Sequence, residues 1–223
     1  MSVLNENTII GASGAGGDYE IEQSLRFDDD DSSYLSRTPS SAGNRKTWTW
    51  SGWVKRGNLG TQVIFNGQHN AADSTGTVIG FDTSDRLQVF NYSAGFQFHI
   101  ILSQVFRDLS AWYHIAVSLD TTQGTASDRA SIYVNGSKVT SFSTSSYPSL
   151  NYDTYVNNTV PHYLSAEVYA GGSPQKFFDG YLSEVNLIDG QALTPDNFGE
   201  TGDYGEWKPI AYAGTYGTNG FYL

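Results

Sequence analysis

Apolar residues in this chain seldom recur at i, i+3, i+4 over more than one turn. They come in short alternating runs, rich in β-branched and aromatic types, that stop at Gly, Asn, Asp or Ser. No segment reads as a helix of useful length, so the chain has to bury its apolar side chains by stacking sheets. Many short strands at close spacing predict an antiparallel sandwich or barrel. The sharpest run, Trp48 to Lys55, sets Trp48, Trp50 and Val54 on one face and Thr47, Thr49 and Ser51 on the other. By that alternation Trp53 points away from Trp48 and Trp50. Trp112 to Asp120 sets Trp112, His114, Ala116 and Ser118 opposite Tyr113, Ile115, Val117 and Leu119, and the second set is the core face.

Further strands are expected at Ser24–Phe27, Tyr34–Ser36, Gln62–Phe65, Thr77–Phe81, Arg86–Tyr92, Phe96–Leu102, Ser131–Val134, Lys138–Thr140, Val160–Tyr169 and Tyr181–Ile188. Asn135-Gly136 lies between two of them and is a strong hairpin signal, because both turn residues must take positive φ. The core is expected to centre on Trp48, Trp50, Val54, Ile115, Val117, Leu119, Ile132, Val134, Val185 and Leu187.

The chain divides into three parts. Residues 1–21 form a Gly-rich arm, residues 22–200 the sandwich, and residues 201–223 a Tyr/Gly-rich segment that packs on the sandwich or on a neighbour. The stretch Gly11 to Gly17 has nothing to bury. Val3, Leu4, Ile9 and Ile10, with Met1 and Tyr19, are the sizeable apolar anchors of the arm, which reads as an assembly device. With 223 residues one domain buries about 70% of its unfolded surface, enough for a core without staples.

Composition excludes several chemistries. There is no cysteine, so disulfides, thiolate metal sites and cysteine nucleophiles are out. The formal net charge of −11 argues against sequence-independent nucleic-acid binding, which displaces counterions with a cationic face, and against docking on an anionic membrane. No apolar run approaches a membrane span, so no membrane insertion is expected. Met1 to Ile10 has neither a basic stretch nor a long apolar one and does not read as a signal peptide.

Searching for chemistry gives little. Asp28 to Asp31 could hold Ca²⁺, but the spacing of a calcium loop is missing, and a solvated turn is the simpler reading. His69, His99, His114 and His162 form no zinc pattern. Glu184 sits on a late strand between Leu182 and Asn186 on its own face, with no local partner acid for glycoside hydrolysis, although a facing strand could supply one. No catalytic residue, cofactor or resident metal is therefore expected. Tyr147, Tyr152, Tyr155 and Tyr163 lie in a Ser/Tyr/Asn-rich stretch, and such rigid aromatic area with adaptable polar neighbours suits contact with a glycan or another subunit.

Four stretches together resemble the laminin-G/pentraxin branch of the concanavalin A-like jelly rolls. They are Ser24 to Ser36, Thr47 to Lys55, Trp112 to Val117 with Ile132 to Gly136, and Phe178 to Val185 with Ala192 to Pro195. The resemblance implies an all-β, antiparallel two-sheet jelly-roll sandwich with an extended N-terminal arm. Leu35 to Thr38, Trp53 to Gly57, Leu187 to Leu193 and Gly217 to Leu223 are also similar to jelly-roll virion proteins of marine tailed bacteriophages. That likeness implies a non-catalytic structural protein made in the host cytoplasm and mounted on the phage particle, as a capsid decoration or fibre component. Its partners would be other virion proteins, met through the arm and the C-terminus, and further copies of itself in a homo-oligomer. The alternative is a carbohydrate-binding module that recognises host-surface glycan, and a glycosidase is the remote third.

Overall fold

Strand β3 (Thr47–Arg56) is the element around which the core assembles, because its two consecutive core-facing positions carry the largest side chains in the protein. In the computed structural model, residues 19–68, 75–168 and 172–223 are described. Val3, Leu4, Ile9 and Ile10 lie outside the described residues. β3 pairs on one side with β13 (Gly180–Asp189) and on the other with β8 (Tyr113–Asp120). The sheet continues outward to β1 (Leu25–Phe27) beyond β13, and to β9 (Ala130–Val134) and β10 (Ser137–Lys138) beyond β8. A last strand, β16 (Phe221–Tyr222), pairs with Asn186 and Leu187 of β13.

The second sheet runs β11 (Phe142–Ser146), β7 (Phe96–Val105), β6 (Arg86–Tyr92), β5 (Gly76–Phe81), β4 (Gln62–Gly67), β12 (His162–Leu164) and β2 (Leu35–Arg37). All pairings are antiparallel, as expected for the sandwich. A separate hairpin joins β14 (Gly199–Thr201) and β15 (Trp207–Pro209). Two short 3-10 turns, Ala126–Asp128 and Pro195–Asn197, are the helical elements among the described residues, and no helix there is long and apolar enough to cross a membrane.

Register explains the core. Trp48 opposes Leu119, Trp50 opposes Val117 and Val54 opposes Tyr113, so the apolar sets of β3 and β8 meet on one face. All ten residues expected in the core are buried in one cluster, together with Phe65, Phe81 and Phe98 of the second sheet. Gly52 holds the core-facing position of β3 between Trp50 and Val54. A Cβ there would stand 3.0 Å from the Trp50 ring, so the missing side chain is what lets that indole lie flat across the strand. The Asn135-Gly136 turn closes β9 onto β10 with φ of +46° and +77°, the double positive φ its sequence requires.

Two expectations are corrected. Val160–Tyr169 is not one strand: pairing covers His162–Leu164 and stops where Ser165 takes φ +72°, which turns the chain out of the ladder. β11, Phe-Ser-Thr-Ser-Ser, was not expected, because its polar composition carries no alternation; it is a strand through edge pairing with β7. The outer face of β3 is covered as well. Thr49 and Ser51 are fully buried: residues after β13 cross over Thr49, where Leu193 N–H donates to Thr49 Oγ1 (2.8 Å) and that hydroxyl donates to Gln191 O (2.8 Å), and Ser51 Oγ lies against His114 Nε2 (2.9 Å).

Candidate functional site

The outer face of the first sheet carries what the core does not use. Trp53 leaves β3 on the side opposite Trp48 and Trp50, as alternation requires, and lies 5.3 Å from the ring of His114, its partner across the ladder. On the other side of His114 stands Trp207 of β15, 5.9 Å away. Trp207 Nε1 donates to His114 Nδ1 at 3.1 Å. An indole only donates, so Nδ1 carries no proton, and the opposite nitrogen, Nε2–H, donates to Ser51 Oγ at 2.9 Å. The tail thus fixes the tautomer of a buried imidazole on the sheet. Gly136 makes this possible, because a Cβ at that position would fall 2.4 Å from the Trp207 ring.

Trp112 enters just before β8 on the same face and stays 37% exposed, with Tyr181 (38% exposed) 6.4 Å from it. Two clefts share Trp53 and Trp112 as walls. One, of about 360 Å³, is completed by Ile21 to Ser24, Ser183 and Pro209. The other, of about 410 Å³, is completed by Asn135 to Ser137, Thr201, Gly205 and Trp207. Trp53 is 9% exposed, and its Nε1–H has no hydrogen-bond partner among the described residues. Indole faces with a few neutral polar groups make a surface that takes an amphipathic ligand.

His114 and His162 are the two most perturbed imidazoles among the described residues. Burial pushes each from 6.5 down to about 4. His162 is also locked neutral by geometry: Nδ1–H donates to Val160 O (2.8 Å) and Nε2 accepts from Asn157 N–H (3.0 Å). The unfolded chain takes up these protons as pH falls through about 6.5, while the folded chain resists until about 4. Stability is therefore complete above that window and falls within it, by about 2–3 kcal/mol per histidine at the acid end. Urea midpoints at about pH 7.5 and about pH 4.5 check this; an unchanged midpoint would mean that both rings are free to titrate.

The tyrosines singled out from sequence are spread apart, and none lines either tryptophan cleft. Tyr147 and Tyr152 pack against the core, and the Tyr152 hydroxyl accepts from Asn91 Nδ2 (2.8 Å), with burial raising its pKa to about 12. Tyr155 lies under the Arg45 guanidinium (5.6 Å), and Tyr163 sits 5.9 Å from Tyr34 on the edge of the second sheet.

Glu184 departs from the reading made of it. Its φ is +51° at a bulge between Ser183 and Asn186, so it does not share a face with the fully buried Leu182. Its two carboxylate oxygens accept from the Tyr222 hydroxyl (2.6 Å) and the Tyr19 hydroxyl (2.8 Å). Glu184 lines a further cavity of about 710 Å³ together with Glu20 and Glu22, acids supplied by the segment before β1 and not by a facing strand. The Asp28–Asp31 run forms a turn, and it brings Asp28 and Asp29 together with Asp179, one carboxylate oxygen of each within 4.8 Å of the others. Mutual repulsion is part of what raises the Asp179 pKa, after burial.

Sequence reasoning missed the groove. The available signal was that Trp53 and Trp112 fall off the core faces of β3 and β8, while a further indole, Trp207, waits in the tail.

A family model described as the concanavalin A-like lectin/glucanases superfamily, Laminin_G_3, matches residues 28–197. No curated protein matches the chain significantly. Among solved structures, the native heptameric SAP-like pentraxin from Limulus polyphemus is similar over 72% of this chain and 71% of its own, at 19% identity and a TM-score of 0.50. The leech intramolecular trans-sialidase is similar over 73% of this chain at 12% identity and a TM-score of 0.52, and this chain spans only 26% of it. Both likenesses are of fold. Residues 21–24 and 199–209, which wall the tryptophan clefts, lie outside the matched span. With its two antiparallel sheets and a match over most of its length, the chain belongs to the concanavalin A-like lectin/glucanase superfamily.

Proposed function

We propose that this protein is a carbohydrate-binding module that holds a glycan, without turning it over, in the groove between Trp53, Trp112 and Trp207. The observation that carries the reading is the pair of adjoining clefts with indole walls and polar rims that hold one charged side chain, Glu22, among the described residues. Sugar rings present apolar C–H faces that stack on indoles and a girdle of hydroxyls that needs donors and acceptors. Membership of a lectin/glucanase superfamily supports the same reading.

Trp112→Ala is the test. Its ring is part-exposed, so the fold should survive, and glycan affinity measured by calorimetry should drop at least about tenfold, the scale of a hot-spot aromatic. Unchanged affinity would remove the groove from the account.

A second reading places the module on a phage particle. It is supported by the likeness of Leu35 to Thr38, Trp53 to Gly57 and Leu187 to Leu193 to phage virion proteins. Residues 1–21, with Val3, Leu4, Ile9 and Ile10, would then be the attachment, and copies would repeat with the symmetry of the particle. Deleting residues 1–20 should leave the sandwich folded and prevent stable incorporation; full occupancy by the truncated protein would contradict it.

A further inference from the structure

We infer that the groove takes an internal stretch of an uncharged, linear oligosaccharide and not a terminal acidic sugar, an inference that rests on the glycan-binding reading above. Two observations carry it. The first is shape. The clefts, of about 360 and 410 Å³, meet at Trp53 and Trp112, and each is at the small end of ligand-pocket size. A ligand lying across the exposed Trp112 ring reaches both, with Gln23 and Ser183 on one side and Asn135 and Ser137 on the other. Two adjoining subsites suit consecutive units of a chain; a single terminal sugar fills one and leaves the other to water.

The second observation is charge. Among the described residues that line the clefts, Glu22 is the one charged side chain, and no Lys, Arg or His is present. Lys208 lies between Trp207 and Pro209 in sequence, but it pairs with Glu200 (3.4 Å) and is absent from both walls. Lys55, next after Trp53 on that face of β3, also lies outside both clefts. A sugar carboxylate taken from water needs a cation or a fork of donors to replace its hydration. Here it would meet a carboxylate and the field of a protein with net charge −11. The groups on offer suit hydroxyls. Asn135 Oδ1 already accepts from His114 N–H (2.8 Å), which leaves the amide N–H₂ as donor, and Ser183 Oγ donates to Gln23 O (2.6 Å), which leaves its lone pairs as acceptor.

The experiment titrates the full chain with cello-, xylo- and manno-oligosaccharides from one to six units, with 3′-sialyllactose and oligogalacturonate as acidic probes, by calorimetry. The expected result is binding of at least one neutral series, with affinity rising at least tenfold from monosaccharide to tetrasaccharide and no binding of the acidic probes. Tighter binding of an acidic probe, or a neutral monosaccharide that binds as well as its tetramer, overturns this inference and leaves the glycan-binding reading standing. Binding of no sugar in the panel overturns both.

Discussion

Replacing Trp48 by alanine is expected to destabilise the protein by about 3–5 kcal/mol, the range for deleting a large aromatic from a packed core. Trp48 is fully buried near the start of β3, opposite Leu119 of β8 and Asp189 of β13, so it closes one end of the core at the strand between those two. It also carries a polar tie. Its Nε1–H donates to Thr154 Oγ1 at 2.9 Å, and that hydroxyl donates in turn to Arg45 O at 2.7 Å. The variant therefore opens a cavity and loosens the link between β3 and the long connection from β11 to β12. Trp48→Phe should recover most of the volume and none of the hydrogen bond, and so fall between the two. Urea unfolding at constant m reads both effects. A loss below about 1 kcal/mol for the alanine variant would mean that the site collapses freely around the gap.

Arg56→Ala should cost a similar amount, about 3–5 kcal/mol, for a different reason. The guanidinium is 1% exposed and 4.2 Å from the centre of the Phe81 ring. It donates to Phe106 O (2.7 Å), Gly60 O (2.9 Å), Gln62 Oε1 (3.3 Å) and Asp85 Oδ1 (3.3 Å). One planar fork thus pins the end of β3 to the β5–β6 turn and to the chain after β7. Asp85 keeps Gly60 N–H (2.8 Å) and Arg107 (2.9 Å) when Arg56 is removed, so the cost comes mainly from carbonyls left buried without donors. Burial alone would raise the Asp85 pKa; the bond from Gly60, then Arg107 and Arg56, hold it below the usual value. Arg56→Lys should rescue little, because a single ammonium cannot reach four acceptors arranged for a fork. A lysine variant as stable as the parent would show that charge, not geometry, is what the site needs.

Alternation made much of this legible. The core faces of β3 and β8 follow from their period of two, and the hairpin at Asn135-Gly136 follows from its φ requirement. What alternation cannot show is a place where the period breaks. Ser165 and Glu184 take positive φ with side chains that give no warning of it, and each changes which face its neighbours present. β11 is a strand through its pairing with β7, a non-local property that five polar-rich residues do not advertise. The groove is non-local in the same way. Trp207 meets His114 across 93 residues of sequence, and the tail that delivers it has no periodicity to align with the sheet. Two of its indoles were visible as surplus to the core, but not their convergence. The Ser/Tyr/Asn-rich stretch attracts attention by composition, yet Tyr147 and Tyr152 spend much of their area on the core.

The protein has five tryptophans, and each gives one indole N–H resonance. Assigning the five and titrating the protein with a bound neutral oligosaccharide tests the groove most directly. Trp53, Trp112 and Trp207 are expected to shift together with saturation while Trp48 and Trp50, sealed in the core, stay in place. Saturable glycan binding that leaves the Trp53, Trp112 and Trp207 resonances unmoved would contradict this expectation.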